Sequence, residues 1–150
     1  METIFDKDVR GQLIDRIGQI NEFQKPEWGK MNLIQMLKHN TYWNRWILGK
    51  DNHSYKQVFL GKLFGKIALK RMIKNGKPFD KNIPTSDQFK VKESTGDIES
   101  EKADWILLIN EYETFSHPEF IHDFFGKMTN EHIGILVYKH TDHHLRQFGV

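Results

Sequence analysis

Apolar residues recur every three to four positions along most of this chain, which is the period of a helix and not the period of two shown by a strand. Ile4, Phe5, Val9, Leu13, Ile17 and Ile20 mark one face of a first helix over about residues 3–23. Pro26 and Gly29 break that pattern. A second helix is expected to open at Asn32, whose side chain can cap it, with Gln35 placed to complete a capping box. Its stripe runs through Leu33, Met36, Leu37, Trp43 and Ile47, and Gly49 is its expected stop. A third apolar run covers roughly residues 55–73. The stretch 76–94 holds Pro78 and Pro84 without a sustained period and reads as a long crossover loop. A further helix starts between Ser94 and Ser100 and extends to about Phe115, with Ile98, Trp105, Ile106 and Ile109 as its apolar content. The last helix opens at the Thr129 cap, carries Glu131 where the helix dipole favours an acid, and extends to about Phe148. Strand signals are scarce. The pattern predicts an all-α domain of four main helices plus one extra helical segment, and a bundle buries four amphipathic faces most economically. The long link between the second and third bundle helices holds that extra segment and permits a crossover, so simple up-down-up-down order is not required.

With 150 residues the chain fits a single domain, 1–150, because a second would have little left for a core of its own. Twenty-two Lys and Arg against twenty Asp and Glu leave a net charge of +2, without the basic excess of a dedicated nucleic-acid binder. No run approaches the ~20 apolar residues of a membrane span. Residues 1–10 carry Glu2, Asp6 and Asp8 and no apolar run, so a secretory signal is not expected. These features predict a cytoplasmic protein with neither nucleic acid nor membrane as its partner. The absence of Cys excludes disulfides, thiolate ligands and a cysteine nucleophile.

Eight His are the residues with the most chemistry to offer. His140 and His144 lie four apart, so on a helix their rings are offset by about 40° and ~6 Å and can reach one metal ion. Chance alone supplies about 0.4 such pairs in this composition, so spacing does not carry the case. Position carries more: both fall on the stripe of Ile133, Leu136, Val137 and Phe148, which a bundle helix buries. Unpaired imidazoles there would cost free energy unless bonded or ligated. His39, between Met36 and Trp43 on the second helix, is the candidate third ligand. Three imidazoles suit Zn²⁺, Ni²⁺ or Fe²⁺ and leave a coordination position open. The competing reading is that the rings are core or surface histidines satisfied by hydrogen bonds. His143 is turned about 100° from His144 and is expected to meet solvent or support the site from outside. His53, His117 and His122 fall at loops or helix ends, and His132 falls in the first turn of the last helix. Asp142 points away from His140.

Two segments carry a family resemblance. Trp28-Gly29-Lys30-Met31-Asn32, followed by Gln35-Met36-Leu37-Lys38-His39, resembles the start of the second helix in the DinB-like superfamily of metal-binding four-helix proteins. Phe125-Gly126-Lys127-Met128-Thr129 and the run Tyr138 to Gln147, with its His140-Thr141-Asp142-His143-His144 core, resemble the last helix of that superfamily. The loop from Gly76-Lys77-Pro78 to Asn82-Ile83-Pro84-Thr85 is similar to an uncharacterised branch of it. The resemblance implies an up-down-down-up bundle, a divalent metal on His39, His140 and His144, and an activity of one of two kinds. These are thiol-dependent transfer or isomerisation, and metal-dependent hydrolysis, acting on a small molecule.

Trp28, Tyr42 and Trp43, with Met36, are candidates to line a substrate pocket beside the ion, and core packing is the simpler role for Met36. No Ser or Thr sits in a recognisable elbow with a base, and there is no Cys. A nucleophile would therefore come from outside, as water or as a low-molecular-weight thiol activated at the ion. A non-catalytic metal-binding or stress-response bundle is the alternative. Seven Lys and Arg with no acid lie between Asn52 and Phe79, and Lys62, Lys66, Lys70 and Lys74 form one stripe. A basic amphipathic helix can bind anionic membrane or nucleic acid, but a solvated face is the commoner explanation. Residues 93–119 hold eight acids and one Lys, which can offset the basic segment within the fold or across a homodimer.

Overall fold

A computed structural model describes residues 1–150 and is mostly helical. The order is α1 (Lys7–Gly18), α2 (Leu33–Ile47), α3 (Phe59–Ile73), α4 (Ile98–Glu111), β1 (Ile121–His122), β2 (Gly126–Lys127) and α5 (Asn130–Gln147). Short 3₁₀ turns cover Asp87–Phe89 and Tyr112–Thr114. No helix is long and apolar enough to cross a membrane.

The caps of α2 and α5 form as the sequence leads one to expect. Asn32 accepts from the Gln35 backbone N–H at 2.9 Å, and the Gln35 side chain accepts from the Asn32 N–H at 3.0 Å. Thr129 Oγ1 accepts from the His132 N–H at 3.2 Å. These bonds satisfy donors that the first turn otherwise leaves unpaired. Gly49, with φ +72°, ends α2 in the left-handed conformation that glycine adopts without steric cost.

Helix α1 is shorter than its apolar spacing suggests. The Asp6 carboxylate caps it by accepting from the Asp8 and Val9 N–H groups, and the chain leaves the helix after Gly18. Ile4 and Ile20 still reach the core, but from the flanking turns. Likewise α3 begins at Phe59, not near Tyr55, because the Val58 N–H is held by the Asp123 carbonyl and the Tyr55 hydroxyl donates to the Trp46 carbonyl.

A two-residue antiparallel ladder, β1 with β2, appears where only a loop was expected. Its turn is built on one side chain: the Nδ1 atom of His122 accepts from the Phe124 and Phe125 N–H groups at 3.1 and 3.3 Å.

Helices α1, α2, α4 and α5 share one core, in which Trp46, Trp105, Met36, Ile17 and Val137 are fully buried. The most extensive packing is α2 on α4. Helix α3 lies apart, touching α5 and β2. Two buried lysines tie helix ends together: Lys102 donates to the Gly18 and Ile20 carbonyls, and Lys139 donates to those of Met72 and Asn75. Each places a cation at the negative end of a neighbouring helix.

Candidate metal centre

His39 comes from the middle of α2, and His140 and His144 come from one face of α5, two helices that pack together through the core. Ligating nitrogens of all three lie within 4.8 Å of one another. His39 Nε2 and His140 Nε2 are 3.2 Å apart. Tetrahedral coordination at about 2.0–2.1 Å would set adjacent nitrogens ~3.3 Å apart, so that pair already has the required spacing. His39 and His144 are buried, and His140 is partly exposed.

Two of the rings have their tautomers fixed by neighbours. The Phe89 carbonyl lies 2.9 Å from His39 Nδ1, and a carbonyl only accepts, so Nδ1 carries the hydrogen and Nε2 carries the lone pair. Gln147 donates its Nε2 to the Trp28 carbonyl at 2.8 Å, which turns its Oε1 toward His144 Nδ1 at 2.9 Å. His144 is therefore also an Nδ1–H tautomer with a free Nε2 lone pair. Such outer hydrogen bonds hold the rings of metal-binding histidines and raise their basicity. The third ring is held differently: Trp43 stacks on His140 at 3.9 Å with 14° between planes. His140 Nδ1 has no partner. A hydrogen shared between His140 and His39 would satisfy that pair without a cation.

Burial is the main reason all three rings resist protonation. It pushes His39 below the ordinary histidine range, against the Phe89 carbonyl, which pulls the other way. It pushes His140 and His144 well below that range, with the other imidazoles adding repulsion between charged forms. Neutral imidazole is the form that ligates a metal. The cluster fits a divalent ion on spacing, tautomer and charge state.

The remaining residues fall as follows. Met36 is fully buried in the core. Trp28 sets its ring against His143 and below the Lys81 ammonium, on a cleft of about 360 Å³ that Glu27 and Arg146 also line. Tyr42 is exposed on α2. His143 does not meet solvent as one of its expected roles required; it is buried between Trp28 and Phe79, because α5 is covered on that flank by the 76–94 crossover and the segment before α2. Asp142 faces away from the cluster and pairs with Arg16 at 2.9 Å. His117 reaches the Ile47 carbonyl at the end of α2. The supports that sequence reasoning missed are Phe89 and Gln147. Gln147 stands three positions after His144, on its face, and was legible by the helical period; a backbone carbonyl from a loop 50 residues from His39 has no sequence signal. No protein-family model, curated protein or solved structure matches the chain.

Proposed function

We propose that this protein is a metal-dependent enzyme of the DinB-like type, acting on a small molecule by thiol-dependent transfer or isomerisation or by hydrolysis. In this reading α1, α2, α4 and α5 form the up-down-down-up bundle, and α3 is the extra segment in the crossover. His39, His140 and His144 hold a Zn²⁺, Ni²⁺ or Fe²⁺ ion. The observation that carries the reading is the convergence of three neutral imidazoles, two of them buried and with Nδ1 tied back so that Nε2 is free to face the others.

When bound, the ion supplies Lewis-acid activation of an attacking water or thiol. The chain supplies the rest. Phe89 and the Gln147–Trp28 relay keep two rings aimed without further ordering. Trp43 covers one face of His140 and excludes water there. The partial exposure of His140 supports approach by a small molecule. The burial of His39 and His144 supports the alternative, a non-catalytic metal-binding or stress-response bundle.

Metal analysis followed by activity screening separates these. The enzyme reading expects activity that a chelator abolishes and added metal restores. A requirement for added low-molecular-weight thiol identifies transfer chemistry, and independence from it identifies hydrolysis. Activity surviving complete metal removal contradicts both.

A further inference from the structure

Helix α3 meets the rest of the protein through its smallest residues. Gly61 and Gly65 lie against the Phe124 backbone so closely that a Cβ on either would overlap the Phe124 carbonyl oxygen. Leu69 is the only large side chain of α3 that is buried. The big apolar side chains consequently face outward: Phe59 is 72% exposed and Ile67 71%, and Leu60, Leu63 and Phe64 are each more than half exposed. Residues 59, 63 and 67, spaced by four, form one ridge, with 60 and 64 beside it.

The same helix carries Lys62, Lys66, Lys70 and Arg71, with Lys74 at its C-cap, all exposed. None of them is in an ion pair within the chain. Three of the four acids of α4 are engaged elsewhere, Glu101 with Lys38, Glu111 with Lys50 and Glu99 with Lys102, and the fourth, Asp104, pairs with none of these cations. An α3-to-α3 dimer would set two such cationic rows against each other with no acid between residues 52 and 79 to relieve them. A phosphate backbone would match the charge but leave the ridge of Phe and Leu in water. An anionic lipid surface matches both, since acyl chains take the ridge and headgroups take the flanking lysines, whose long stems reach up to them.

We propose that α3 docks this protein in the plane of an anionic lipid bilayer, without spanning it. This revises the expectation of no membrane partner, which took the basic stripe as a solvated face. The inference stands independently of the metal centre. The test is co-sedimentation of the full chain with vesicles of phosphatidylcholine alone or mixed equally with phosphatidylglycerol. Binding to the mixed vesicles, weakened by salt, is expected. The double variant Leu63→Ser with Phe64→Ser should lose it; both positions are exposed, so circular dichroism and metal content should match wild type. Lys66→Gln with Lys70→Gln should weaken it roughly 30-fold, from about 1 kcal/mol for each cation near the surface. Four results overturn the proposal. They are no binding to mixed vesicles, equal binding to neutral ones, full binding by the Leu63→Ser, Phe64→Ser variant, or duplex-DNA binding without vesicle binding. A solution dimer that this variant dissolves, with no vesicle binding, assigns the face to a second copy instead.

Discussion

Replacing Gln147 with Leu removes two hydrogen bonds at once and leaves the size of the side chain nearly unchanged. Gln147 is buried and links the Trp28 carbonyl to His144 Nδ1. Without it, a part-buried carbonyl and a buried N–H lose their partners, at about 1–3 kcal/mol each. Added apolar burial by Leu returns about 1 kcal/mol. The metal-free variant should therefore be less stable by about 1–5 kcal/mol. A second loss is specific to the metal. A ligand histidine that loses its outer hydrogen bond typically costs 10–100-fold in affinity, so the stabilisation given by saturating zinc should shrink by about 1.4–2.7 kcal/mol more. Urea unfolding of metal-free and zinc-saturated protein measures both, and competition with a chromophoric chelator gives the affinity directly. A variant with the expected loss of metal-free stability but wild-type zinc affinity would refute the reasoning, because Gln147 would then be only a packing residue.

The depressed histidines predict how stability varies with pH. In the metal-free protein His39, His140, His143 and His144 stay neutral while the unfolded chain protonates near the ordinary histidine value. The unfolded state then binds more protons, so stability falls as pH drops from about 7.5 to 5.5. Thermal melting across that range checks it, and a flat profile contradicts it. Gly65→Ala gains about 1 kcal/mol of helix propensity but drives a Cβ into the Phe124 carbonyl at a cost of about 1–3 kcal/mol, so a net loss of up to about 2 kcal/mol is expected in urea unfolding. Lys139→Met removes donors held at 2.6 and 2.7 Å by the Met72 and Asn75 carbonyls, and should cost about 2 kcal/mol. Hydrogen exchange should show the end of α3 opening first.

The helices that carry the histidines were the most legible parts of the sequence. Asn32 with Gln35, and Thr129, announce where α2 and α5 begin, and the 3.6-residue period then puts His39, His140 and His144 on inward stripes. Local chemistry and local pattern agree there, so the tertiary structure had nothing to override. Helix α3 shows the opposite. Its period was readable, but which face turns inward was not: close approach to Phe124 selects the glycines and leaves Phe59, Leu63 and Ile67 outside. The β1–β2 ladder is too short for alternation to register, and it depends on His122 accepting from its own turn. Ile4 and Ile20 extended the apparent period of α1 past its caps, because turn residues can fill the same core.

The metal content of purified protein, measured side by side for the wild type and for His39→Ala, His140→Ala and His144→Ala after equal exposure to zinc, bears most directly on the centre. Three imidazoles sharing one ion predict about one bound zinc per chain in the wild type. Each single variant should lose it, and double variants should lose no more than single ones, because the first removal already breaks the site. Equal zinc content in the wild type and in His144→Ala would contradict the assignment of the cluster as a metal centre.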